Sequence, residues 1–128
     1  MALTVIIEKR EGDICIVKIG GHLDTETYTE MSDKLKPVLE SAPKALVLDM
    51  SNLEYVSSAG LSVIFNAKKT LESKNGTLIM SNLQPQIKKV FEIVKVMSEQ
   101  SIFQSVEEVD AYLDAMQKKV KEEGTESL

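Results

Sequence analysis

Asp49-Met50-Ser51-Asn52-Leu53-Glu54-Tyr55-Val56-Ser57-Ser58-Ala59-Gly60-Leu61 joins a strand-like run to a helix-like one, and the reading of the whole chain turns on it. Upstream, Ala45-Leu46-Val47-Leu48 has the length and bulk of a buried strand, which ends at Asp49 and a short polar loop. Downstream, apolar residues recur at Leu61, Ile64, Phe65 and Leu71, the three-and-four spacing of a helix laid on a sheet, with Lys68, Lys69 and Glu72 left for solvent. Ser57 and Ser58 therefore stand at a helix start, where unpaired N–H groups and the positive end of the helix dipole converge and a phosphate can be accommodated. The plainest role for one of them is N-cap. No Glu or Gln stands three residues after either serine, so the reciprocal capping box is missing. Gly60, in the first turn, costs roughly 1 kcal/mol relative to alanine, which predicts that something approaches the backbone closely at that point. A small hydroxyl on such a turn is within reach of a modifying enzyme or a partner surface.

Before this stretch, Thr4–Ile7 and Ile14–Ile19 read as two strands joined at Glu11-Gly12-Asp13, a hairpin, and the apolar Cys15 and Val17 suggest that the second is buried on both faces. Gly20-Gly21-His22-Leu23-Asp24 closes the second strand, and Asp24 or Thr25 can cap a helix with Tyr28, Met31, Leu35, Val38 and Leu39 on its apolar side. Pro37 falls inside that helix and is expected to bend it or loosen its last turns. After Asn75-Gly76 ends the serine helix, Thr77–Met80 is a strand, and Pro85 opens a helix with Ile87, Val90, Phe91 and Val94 at core spacing. Ile102-Phe103 is a brief apolar segment that fits a last edge strand. Ser105-Val106-Glu107-Glu108 is a capping box for a final helix with Val109, Leu113, Met116 and Val120 on one side.

Alternating strand and helix after a hairpin calls for an α/β domain with a mixed, mostly parallel sheet of four or five strands and about four helices. The loops at Asp24, at Asp49 to Ser58 and at Asn82 all follow strands, so they gather along one sheet edge, which makes Asp24 and Ser58 neighbours. Residues 1–117 form one domain, and 118–128 are a helix end with a frayed polar tail.

Composition narrows the chemistry. A net charge of −5, with lysines scattered and Arg10 the one arginine, argues against a nucleic-acid surface. No long apolar run or basic leader points to a membrane span or signal peptide, so a cytoplasmic protein is expected. Cys15 has no second cysteine to pair with, and His22 is the one histidine, so no cysteine or histidine metal cluster is expected. Gly20-Gly21 lacks the Gly-Lys-Ser/Thr of a nucleotide loop, Val56 stands where a nucleophile elbow around Ser58 needs glycine, and no cofactor is expected. An enzyme built on Ser58, His22 and an aspartate is the weaker alternative.

Gly21-His22-Leu23-Asp24, Leu46-Val47-Leu48-Asp49-Met50-Ser51 and Tyr55-Val56-Ser57-Ser58-Ala59-Gly60-Leu61 together resemble the STAS domain of bacterial anti-sigma factor antagonists, over residues from about Leu3 to Met116. The resemblance implies that Ser58 is phosphorylated by an anti-sigma factor that is itself a serine kinase. The residue before it in the family is often Asp; here it is Ser57, the alternative acceptor. By the same resemblance Asp24, Ser57, Ser58, Gly60 and Leu61 belong to the partner surface. The implied function is partner switching in transcription regulation: the unphosphorylated antagonist binds the anti-sigma factor, phosphorylation ends that binding, and a serine phosphatase restores it. A monomer or weak dimer is expected. The alternative is a non-switching STAS scaffold in a signalling or lipid-transport complex.

Overall fold

The structure is a computed structural model that describes residues 2–96 and 105–123. In chain order its elements are β1 (Leu3–Arg10), β2 (Ile14–Leu23), α1 (Tyr28–Glu40), β3 (Ala45–Val56), α2 (Ser58–Ser73), β4 (Thr77–Ser81), α3 (Pro85–Val96) and α4 (Val106–Glu123). The sheet order is β1-β2-β3-β4. β1 and β2 form the antiparallel hairpin, and β2, β3 and β4 run parallel. This is the mixed α/β architecture expected from the element order, with four strands and four helices among the described residues. Ile102-Phe103, expected as an edge strand, lies outside them.

Side chains that alternate across the strands sort into one closed face and one open face. Cys15, Val17 and Ile19 of β2 and Leu46, Leu48 and Met50 of β3 are buried with Met31 and Leu35 of α1, Ile64 and Leu71 of α2, Ile87 and Val90 of α3 and Leu113 of α4. The opposite face carries Ile16, Lys18, Val47 and Asp49, and on β4 Ile79 remains 45% exposed. The expectation that β2 is buried on both faces therefore fails, because the helices pack the Cys15–Val17–Ile19 side. Tyr28, read as part of the apolar side of α1, is also exposed, since the helix begins there and its buried stripe starts a turn later at Met31. Pro37 does not stop α1, which continues to Glu40 and is closed by the Ser41 N–H donating to the Pro37 carbonyl at 3.1 Å.

The strands outrun the short reading given by their apolar runs. β2 continues through Gly20-Gly21 to Leu23, and β3 continues through the supposed polar loop to Val56. The two stay paired, Gly20 with Asn52, Gly21 with Leu53, His22 with Tyr55 and Leu23 with Val56, across two register irregularities. Gly21 sits at φ 88° at the second of those, and a Cβ there would meet the Ala2 carbonyl oxygen at 2.0 Å, so a side chain is excluded on both counts.

β4 pairs with β3 only as far as Asp49 opposite Ser81. Beyond that rung no strand among the described residues lies beside the outer edge of β3, and buried backbone groups without partners are costly. Three glutamines supply the missing bonds. Gln84 Nε2 donates to the Ser51 carbonyl at 2.8 Å and Gln86 Nε2 to the Glu54 carbonyl at 3.0 Å. Gln117, buried on α4, both accepts from the Val56 N–H at 3.0 Å and donates to the Val56 carbonyl at 2.7 Å, as a neighbouring strand would. Gln117→Ala strands two buried backbone groups and is expected to cost about 2–4 kcal/mol in urea denaturation. Lys121→Ala, which removes an exposed ion pair to Glu54, is expected to cost less than about 1 kcal/mol in the same measurement.

Candidate functional site

The overhanging ends of β2 and β3 deliver two loops to one place. At the end of β3, Ser57 adopts an extended conformation and caps α2, its Oγ accepting from the Gly60 N–H at 3.3 Å, while its own N–H donates to the Leu23 carbonyl at 2.9 Å. Ser57 is the N-cap, and it is 3% exposed. Ser58, the first residue of α2, is half-buried, and among the described residues its hydroxyl has no hydrogen-bond partner.

The tight approach expected at Gly60 comes from within the chain. A Cβ there would lie 2.6 Å from the Leu23 carbonyl oxygen and 2.9 Å from Val56 Cγ2, so only glycine lets the first turn of α2 close over the strand ends. Gly60 and Leu61 are buried. Of the residues expected on the partner surface, Gly60 and Leu61 are buried, Ser57 is 3% exposed at the edge of a cleft, and Ser58 is the most accessible of the four.

At the end of β2, Thr27 organises the loop that carries Asp24. Its hydroxyl donates to the His22 carbonyl at 2.8 Å and accepts from the Asp24 N–H at 3.0 Å. Asp24 Oδ1 accepts from the Glu26 N–H at 2.9 Å, and its carbonyl accepts from Tyr28 at 2.8 Å. Asp24 thus heads the turn into α1, whose N-cap is Thr27 rather than Asp24 or Thr25.

Between the loops lies a cleft of about 350 Å³ lined by His22, Asp24, Thr25, Tyr55 and Ser57, together with Asp110 and Asp114 of α4. Asp24 and the serine turn are neighbours, as the topology required. The third wall was not anticipated. Asp110 Oδ1 accepts from the Ser58 N–H at 2.8 Å, so a carboxylate already occupies the start of α2. His22 and Tyr55, opposite each other across β2 and β3, stack with ring centroids 5.4 Å apart. Burial, and then Asp114, Asp110 and Asp24, push the Tyr55 phenol up to about 12. The third strand-end loop lies to one side, where Asp49 Oδ1 accepts from the Ser51 N–H at 3.1 Å and from Asn82 Nδ2 at 3.3 Å, and these bonds hold its carboxyl below the usual range.

A sequence signal for α4 existed. Leu113, Gln117 and Val120 share one face at core spacing, which placed a glutamine among apolar residues. Nothing local marked Asp110.

The profile of the STAS domain family matches residues 5–109, and the chain belongs to that family. Among curated relatives, BtrV of Bordetella bronchiseptica, provisionally named an anti-sigma factor antagonist, is 29% identical over 91 residues, covering 71% of this chain and 78% of that protein. The anti-sigma-B factor antagonist of Staphylococcus aureus is 29% identical over 77 residues, 60% of this chain and 71% of the relative. The fold matches that of the anti-sigma factor antagonist SpoIIAA in its unphosphorylated form, with a TM-score of 0.65 at 19% identity over 73% of this chain and 82% of that one. It also matches an anti-sigma factor antagonist from Mycobacterium paratuberculosis, with a TM-score of 0.65 at 19% identity over 94% of this chain and 95% of that one.

Gly60→Ala is expected to destabilise the fold by about 2–4 kcal/mol in chemical denaturation, since the added methyl meets backbone rather than a flexible side chain. A phenol whose folded-state pKa is raised keeps its proton in the folded chain after the unfolded chain has lost it. Tyr55 therefore stabilises fully below pH 10, and the contribution is lost as the pH rises from 10 towards about 12. Alkaline unfolding followed by circular dichroism should show a steeper loss across that window in the wild type than in Tyr55→Phe.

Proposed function

We propose that this protein is an anti-sigma factor antagonist whose binding to an anti-sigma factor is switched off by phosphorylation of Ser58. The observation that carries the reading is the contrast between the two serines: Ser57 spends its hydroxyl inside the fold as a buried cap, while Ser58 stands half-buried at the helix start with its hydroxyl unengaged among the described residues. Family membership and relatives named as antagonists support the same role.

In this reading the partner is a serine kinase as well as the anti-sigma factor. The Ser58 Oγ attacks the terminal phosphorus of ATP, the bond to ADP breaks, and the serine proton passes to a base on the kinase. A phosphatase returns the alcohol by transferring the phosphoryl group to water. Ser57 is a poor alternative acceptor, because modification would remove the cap from Gly60 and demand that a buried side chain come out.

The chemistry of the switch is electrostatic. A phosphate adds about −1.5 to −2 charges at neutral pH. Asp110 bonds the Ser58 N–H, and Asp24 and Asp114 line the adjoining cleft, whose lining among the described residues holds no Lys or Arg to offset the new charge. A docked partner that fits the neutral hydroxyl then faces a concentrated negative surface and an unsatisfied, desolvated phosphate. In this reading the protein itself works without catalysis or cofactor, in the cytoplasm.

Isothermal titration calorimetry with the cognate anti-sigma factor tests the proposal. Ser58→Asp is expected to weaken binding by about a hundredfold or more, and Ser58→Ala to bind as the wild type does and to resist loss of binding on incubation with kinase and ATP. Undiminished binding by Ser58→Asp and by the phosphorylated wild type would leave the chain a STAS scaffold without a switch.

A further inference from the structure

The start of α2 is already occupied. Ser58 is the first residue of the helix, its N–H is one of the donors that the helix cannot satisfy, and the Asp110 carboxylate fills that position at 2.8 Å from a helix 52 residues further along the chain. A phosphate on the same serine would hang from Oγ, three bonds from that nitrogen. Two anions would then compete for the donors of one helix start, in a setting where the neighbouring carboxylates are Asp114 and Asp24.

α4 is not held evenly along its length. Its later part is fixed by Gln117, which bonds both backbone groups of Val56, by the buried Leu113 and Val120, and by the Lys121–Glu54 pair at 2.8 Å. Its first turn is acidic, with Glu107 and Glu108, and is capped by Ser105 Oγ accepting from the Glu108 N–H at 3.1 Å. Asp110 ties this part of the helix to the serine turn through the Ser58 N–H, with Val109 partly buried beside it.

We infer that Asp110 is an internal occupant of the α2 start which phosphate on Ser58 displaces, so that modification releases the first turns of α4 while Gln117 holds the rest as a pivot. The inference rests on Ser58 being the modified residue, and it adds a conformational consequence to the charge effect. The unmodified chain presents α4 latched against the serine turn. The modified chain presents the same sheet with the beginning of α4 unlatched, so a partner that contacts both elements senses the phosphate twice.

The test is hydrogen–deuterium exchange on full-length protein carrying phosphoserine at position 58, introduced during translation so that no kinase is needed. Amides of residues 109–112 are expected to exchange on the order of tenfold faster than in the unmodified protein, with those of residues 117–121 unchanged. In Asp110→Ala the latch is absent, so amides at 109–112 should already exchange faster in the unmodified protein and phosphoserine should add little. Equal exchange of 109–112 in the two wild-type forms overturns the inference, as does unchanged exchange in unmodified Asp110→Ala, a full further acceleration by phosphoserine in Asp110→Ala, or a loosening that runs through 117–121. A kinase that modifies a residue other than Ser58 would overturn the proposed function and leave these measurements standing.

Discussion

A parallel sheet whose central strand is longer than its neighbour has backbone groups that the neighbour cannot satisfy. β3 runs to Val56 while β4 stops pairing at Ser81, and the groups on the bare edge are met by Gln84, Gln86 and Gln117. The first two belong to the entry into α3 and the third to α4, so the solution to a backbone problem also decides where two helices lie. α4 follows the end of β3 because Gln117 imitates a strand there. Once α4 is fixed, Asp110 and Asp114 stand beside the serine turn, and the site takes its electrostatic character from a helix that is remote in sequence.

The division of labour between the two serines follows from the same overhang. Pairing of Leu23 with Val56 brings the two strand ends so close that Gly60 has no room for a Cβ, and the Ser57 N–H completes the ladder by donating to Leu23. Ser57 is thereby turned inward as the cap, and Ser58, one position on, is turned towards the surface. The contrast is positional: two identical side chains differ because one terminates a strand and the other begins a helix. The cleft beside them is lined by Asp24, Asp110 and Asp114, so an anion added there meets like charge.

Much of this was legible in the chain. Periodicity located the helices, the hairpin followed from Glu11-Gly12-Asp13, and the order of elements gave a mixed sheet with Asp24 and the serines on one edge. The failures share a cause. The polar run Asp49–Tyr55 looks like loop because its side chains alternate in and out of a narrow sheet extension, yet Met50 and Leu53 are buried and the backbone stays extended. Tyr28 looked apolar by spacing but lies at a helix end, and β2 looked buried on both faces because its apolar content exceeds what the helices cover. In each case the composition of a segment was read as burial, when burial is set by what packs on it.

The sequence by itself determined the features whose partners are a few residues away: a serine cap at the start of α2, the glycine at the crowded first turn, the turn headed by Asp24, the break at Asn75-Gly76. Those depend on local backbone geometry and side-chain chemistry, which short stretches encode directly. Tertiary structure alone decided that Gln117 would serve Val56 from 61 residues away, that Asp110 would take the helix start from 52 away, and therefore that carboxylates from α4 would stand beside the serine turn. Such pairings carry no signature in either segment, because a hydrogen bond needs its two atoms within about 3 Å, and only the packed sheet and helices bring them there.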